Sequence, residues 1–194
     1  MNKNFKHFEI AVFVTSLFCI IAIFVMIGFI LKRDSENLKN QKLDVVFDNS
    51  DILFIENKLP ISNSIAKNYE GYGMEENIEG YSKFSVTNPL DRKITYEIYL
   101  TEQNTDMKSI KTNYINFYLT DDENNPYSGF DKNKMISFYD LYPLKDKPGS
   151  KLLYRSTLMG HKTAKFKLRM WLADSYGLTQ NKESFSVDID VRIK

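Results

Sequence analysis

From Ile10 to Leu31 the chain carries no charge and no proline, and nothing more polar than Thr15 and Ser16. As a helix this run reaches roughly 33 Å, against a hydrocarbon core of about 30 Å. A helix apolar on every side belongs in lipid or inside a large protein, and the rest of this chain is too small to enclose it. The run is longer than a cleavable leader requires. It ends in Gly28-Phe29-Ile30-Leu31-Lys32-Arg33, without the small residues of a cleavage site. The expectation is a permanent single-pass anchor over 10–31, a short cytoplasmic tail over 1–9, and lipid as a partner. Lys3 and Lys6 precede the run, and Lys32 and Arg33 follow it. This near-balance leaves direction to the shortness of the tail, which favours a domain outside the cytoplasm at the plasma membrane.

Residues 32–42 (KRDSENLKNQK) are polar without an apolar period and form a juxtamembrane linker. The domain then runs over 43–194, long enough for a single core. Its apolar residues alternate. Leu43, Val45 and Phe47 do so, as do Ile94, Tyr96, Ile98 and Leu100. Phe166, Leu168, Met170 and Leu172 alternate with Lys165, Lys167, Arg169 and Trp171. Phe185, Val187, Ile189, Val191 and Ile193 alternate with Ser186, Asp188, Asp190 and Arg192. Period two argues half-buried strands. Asn88-Pro89-Leu90-Asp91, Lys147-Pro148-Gly149 and Gly160-His161 supply turns. Residues 57–80 form a long loop with a short helical turn near 62–68.

The spacing predicts an all-β, antiparallel β-sandwich, immunoglobulin-like or jelly-roll, of about seven or eight strands. Residues 81–88 and 94–100 are predicted to form a hairpin. The strands 164–172 and 184–194 are predicted to pair antiparallel with Lys167 opposite Asp188. In that register Lys165 also meets Asp190, and Phe166 meets Ile189 in the core.

The strand Phe84-Ser85-Val86-Thr87-Asn88, its turn, and the strand Ile94–Leu100 resemble the camelysin/TasA-like surface proteins of Gram-positive bacteria. There a hydrophobic N-terminal segment precedes a jelly-roll or immunoglobulin-like sandwich. The likeness covers residues 80–101 and the general plan, and implies a bacterial cell-surface protein. The chain departs from the family in lacking a cleavage site after its apolar segment. No residues matching a protease site can be named.

Composition narrows the chemistry. The only cysteine, Cys19, lies in the apolar run, so the domain has no disulfide, no thiolate metal site and no cysteine nucleophile. Met107, Met135, Met159 and Met170 form no cluster that would suit copper, and the two histidines, His7 and His161, are far apart. Net charge is +1 and no basic run is interleaved with aromatics, so nucleic acid is not an expected partner. No cofactor and no metal are expected. His161 is expected to be a turn residue, and Asp121-Asp122-Glu123-Asn124 a solvated hairpin tip. Candidate partner-binding residues are Trp171, on the polar side of its strand, and Tyr69, Tyr72 and Tyr81 in and beside the long loop. The functional expectation is a membrane-tethered, non-enzymatic surface domain for binding, adhesion or assembly with a protein or cell-wall partner. The alternative is an accessory subunit of a membrane complex, docked through its helix.

Overall fold

The computed structural model describes residues 16–29, 32, 42–56, 58–68, 70, 80–105, 107–130, 134–177 and 182–194. The chain divides into two compact units, Met1–Lys42 and Leu43–Lys194. In the first, residues 16–29 form a helix, α1, with Leu17, Phe18, Ile20, Phe24, Met26 and Phe29 on its surface. No helix among the described residues is long and apolar enough to cross a membrane. The ends of the expected span, residues 10–15 and 30–31, lie outside the described residues, as do 33–41 of the linker.

The second unit is all-β apart from single helical turns. Its strands are β1 (Asp44–Phe47), β2 (Ile52–Glu56), β3 (Tyr81–Thr87), β4 (Ile94–Glu102), β5 (Lys108–Ser109), β6 (Ile115–Thr120), β7 (Ile136–Ser137), β8 (Tyr142–Pro143), β9 (Ser150–Leu158), β10 (Thr163–Leu172) and β11 (Glu183–Ile193). A one-turn helix, α2 (Asn63–Ala66), falls within the predicted 62–68 turn. The first sheet has the order β1-β3-β10-β6-β7. The second has the order β2-β11-β4-β9-β8, with β5 added parallel to the start of β11. All other pairings between the described strands are antiparallel.

The alternating residues meet between the sheets in one core. Phe84, Val86, Phe117, Leu119, Phe166 and Leu168 come from the first sheet, and Leu53, Ile55, Ile98, Leu100, Phe185 and Val187 from the second. Phe84 stacks on Phe166 at 5.0 Å, and Tyr96 reaches across to meet Phe166 edge-on at 6.3 Å. The sandwich architecture is thus the direct outcome of period-two burial.

Two predicted pairings are not formed. β3 and β4 make no hairpin: β3 lies in the first sheet and β4 in the second, so residues 88–93 carry the chain across the sandwich. Nor does β10 pair with β11. β10 lies between β3 and β6, with Phe166 opposite Phe84 and Leu168 opposite Leu119. β11 lies between β2 and β4, with Asp188 opposite Ile52 and Thr101. The two long strands lie in different sheets instead of side by side. Most connections in this chain change sheet.

One end of the sandwich shows how such crossings are held. Asn88 is wholly buried. Its amide nitrogen donates to Arg92 O at 2.7 Å and Leu158 O at 3.1 Å, and its amide oxygen accepts from Leu90 N at 3.1 Å. Its backbone donates to Lys162 O and accepts from His161 N. A single asparagine therefore joins the β3–β4 crossing to the β9–β10 turn. Gly160 packs against the same crossing so closely that a Cβ there would stand 2.6 Å from Leu90 O.

Candidate functional site

In β10 the even-numbered side chains enter the core, so Lys165, Lys167, Arg169 and Trp171 must project from the opposite side. β3 adds Tyr81, Lys83 and Ser85 to that face, and β6 adds Asn116, Tyr118 and Thr120. Tyr81 and Trp171, chosen from the sequence, thus lie on one face, with Arg169 directly opposite Tyr81 in the strand register.

This polar side of β10 is covered at its Arg169–Trp171 end. Residues 61–68 and Glu70 lie over the outer side of β10. Ile61 bridges to Ala173 and donates to Leu172 O, Asn63 Oδ1 accepts from the Trp171 indole N–H at 3.2 Å, and Glu70 pairs with Lys167 at 3.5 Å. Trp171 is left 1 % exposed and Arg169 2 %. The indole is a packed element with its polar edge satisfied, and its ring is not presented at the surface.

Arg169 is a buried cation. Nη1 donates to Thr120 Oγ1 at 3.0 Å, Nη2 donates to Asn124 Oδ1 at 2.8 Å, and the guanidinium lies 5.7 Å from the centre of the Tyr81 ring. Burial pulls its pKa down, while Tyr81 and Glu70 act in the opposite sense. The guanidinium keeps its charge. Tyr81 is pushed up to about 12, chiefly by burial and then by Glu70.

The hairpin tip after β6 is braced from within. Asn124 adopts a left-handed conformation (φ 67°), which asparagine tolerates and which aims its side chain at Arg169 and Lys167. Asp121 Oδ1 accepts from the backbone N–H groups of Glu123 and Asn125 at 2.9 and 2.8 Å. Asp122 bridges Lys83 at 3.3 Å and Lys165 at 3.1 Å, and hydrogen bonds from Lys165 and then Lys83 hold its carboxyl below the ordinary value. The acidic tip thus meets the basic face of its own sheet. Among the described residues no group of three His, Cys, Asp or Glu side chains could hold a metal ion.

His161 stands in the β9–β10 turn with φ 57°, and its Nε2 lies 2.8 Å from Asp91 Oδ1 at an exposed position. Tyr69 and Tyr72 lie outside the described residues.

A second polar cluster, on the outer face of the other sheet, had no signal in the sequence beyond alternation. Arg155 Nε donates to Glu97 Oε1 at 2.5 Å, and the Tyr99 hydroxyl donates to Glu97 Oε2. Arg192 lies over the Tyr99 ring at 5.8 Å. Burial, and then the bond to Glu97, push the Tyr99 phenol up to about 12. Cross-strand spacing brings these residues together, and only the register between β4, β9 and β11 reveals it.

Both clusters offer fixed charge and hydrogen bonds on a rigid frame. Lys167 of β10 lies opposite Lys83 of β3, and Lys165 stands two residues before Lys167 on the same face.

No family model matches the chain, and no curated protein matches it. Among solved structures, a segment of the secreted serine protease VesC from Vibrio cholerae aligns with 57 % of this chain at 9 % identity and a TM-score of 0.17. The alignment spans 18 % of that protein, and a likeness of this size carries no argument about fold or activity.

Proposed function

We propose that this chain is a membrane-tethered, non-enzymatic surface domain of immunoglobulin-like or jelly-roll type that binds a protein or cell-wall partner. Residues 10–31 act as the anchor, residues 1–9 stay in the cytoplasm, and the sandwich from Leu43 onward is displayed on the outside. The observation that carries the reading is the uninterrupted apolar run beside a unit that closes its own core. The exposed apolar side chains all round α1 support it, because such a surface requires lipid or protein around it. The resemblance to camelysin/TasA-like surface proteins fits the same plan.

The test is fractionation and surface proteolysis of cells expressing the full chain. The protein is expected to stay with membranes through alkaline carbonate extraction, and protease added to intact cells is expected to remove the domain. Release by carbonate would remove the anchor from the proposal, and full protection would reverse the orientation. A second reading, an accessory subunit docked through its helix, draws on the same exposed α1 surface. It is favoured if a captured partner survives deletion of the sandwich but is lost when the apolar run is replaced by an unrelated one.

A further inference from the structure

Strand register fixes the end at which the linker joins the sandwich. β1, the first strand after the linker, starts at Asp44 opposite Thr87, and Thr163 at the start of β10 also lies opposite Thr87. Ile94 at the start of β4 meets Leu158 at the end of β9, and Lys194, just after β11, donates its N–H to Thr95 O at 3.0 Å. The entry point of the domain, the 88–93 crossing, the 159–162 turn and the end of β11 therefore share one end of the sandwich. The linker over 32–42 has eleven residues, which reach at most about 40 Å when fully extended. The end that bears the linker is thus held within that distance of any membrane in which the chain is anchored.

Two further features of that end suit a lipid surface. Arg92, Lys93, Lys162 and Lys194 are all exposed there, against two acids, Asp44 and Asp91, and Asp91 is engaged by His161 at 2.8 Å. The next acids along the outer faces are held by cations of their own, Asp122 by Lys83 and Lys165 and Asp190 by Arg192 and Lys147. The end is left with an excess of positive charge. Met159 is 60 % exposed in the 159–162 turn, which packs on the 88–93 crossing through Gly160. An exposed apolar side chain set among cations can enter the acyl boundary while the cations stay at the headgroups. Both loops are preformed, because Asn88 ties one to the other, so contact costs little conformational freedom.

We propose that this end of the sandwich rests on the bilayer, with Arg92, Lys93, Lys162 and Lys194 on anionic lipid headgroups and Met159 at the boundary with the acyl chains. The proposal rests on the membrane anchoring proposed above. It holds for either orientation, provided that the facing leaflet carries anionic lipid. Each basic residue near an anionic surface favours contact about fivefold, and a short tether holds the domain at an effective concentration in the millimolar range. Contact too weak to recruit a free domain therefore suffices for a tethered one. The opposite end, where β10 finishes at Leu172 and β11 starts at Glu183, is left facing away from lipid.

The test uses the full chain in lipid nanodiscs, carrying Cys19→Ala and Met159→Cys, with the new thiol labelled by a polarity-sensitive fluorophore. Discs of phosphatidylcholine with about one-third phosphatidylglycerol are expected to give bluer emission than phosphatidylcholine alone, and at least about threefold less quenching by aqueous acrylamide. About 1 M salt should abolish the difference. So should Lys93→Glu combined with Lys162→Glu, and unchanged Trp171 fluorescence in that variant shows that the sandwich is intact. The same label carried by Asp174→Cys, at the opposite end, should stay open to the quencher in every disc. A chain that co-elutes with the discs but keeps its first label open to the quencher in anionic lipid would overturn the docking alone. A chain that does not enter the discs would overturn the anchor and the docking with it. Equal shielding in neutral and anionic discs, or shielding that survives the salt, would overturn the headgroup contacts. So would shielding by soluble polyphosphate in place of anionic discs, since the partner would then lie off the membrane.

Discussion

Replacing Asn88 with alanine removes one side chain and unties two loops. The substitution deletes the donor to Arg92 O, the donor to Leu158 O and the acceptor for Leu90 N, and leaves the two backbone bonds to residues 161 and 162 in place. The Leu158 carbonyl is in the buried part of this network, while the other two groups are partly accessible. One fully stranded acceptor costs about 1–3 kcal/mol and each water-reachable loss about 0.5–1.5 kcal/mol, so the expected total is about 3 kcal/mol. With a urea m-value of about 2 kcal/mol/M, the midpoint falls by about 1.5 M at unchanged slope. The chain has a single tryptophan, Trp171, buried in this domain, so its fluorescence reports unfolding of the sandwich directly.

Asn88→Asp sharpens the test. The introduced carboxyl can still accept from Leu90 N but faces the carbonyl oxygens of Arg92 and Leu158, so its folded pKa must lie above the unfolded value of about 3.9. The folded state then holds the proton more tightly than the unfolded state. The stability deficit is therefore smallest below about pH 4 and grows as pH rises through the folded pKa. A loss under about 1 kcal/mol for the alanine variant, or a deficit of the aspartate variant that stays flat from acid to neutral pH, would refute the tie.

The remaining predictions concern the same domain. Gly160→Ala places a Cβ 2.6 Å from Leu90 O and 2.7 Å from Asp91 C, both backbone atoms, and should cost about 2–3 kcal/mol in the same urea assay. Arg169→Lys keeps the charge but cannot span Thr120 and Asn124 with one planar fork, and should lower stability by about 1–3 kcal/mol. Alkali should unfold the domain progressively. Burial raises the phenols of Tyr81, Tyr99 and Tyr127 from 10.0 to about 12 and raises that of Tyr96 further, so the folded state holds protons that the unfolded state has lost. The contribution of these phenols should be constant below pH 10 and fall between pH 10 and about 12, with tyrosinate absorbance rising together with loss of circular dichroism.

The alternation of β10 and β11 was legible because burial on one face imposes period two whatever the neighbours are. Their partners were not legible, for a physical reason. Two strands with matching inward faces satisfy the core equally well side by side in one sheet or face to face across the sandwich. Charge complementarity does not decide between them, because the native register runs against it: Lys167 lies opposite Lys83. Two like charges in register are unfavourable when isolated. Here each has been drawn away to its own acid, Lys83 toward Asp122 and Asp48 and Lys167 toward Glu70. Those acids come from a hairpin tip, a β1–β2 turn and a long loop, all remote in sequence, so no local pattern could supply them. The same reasoning explains Trp171. Its polar-face position was plain from parity, but Asn63, which accepts from its indole, stands 108 residues earlier. Strand parity is set locally and can be read; the cover over an outer face and the order of strands in a sheet depend on where crossings such as the Asn88 turn send the chain.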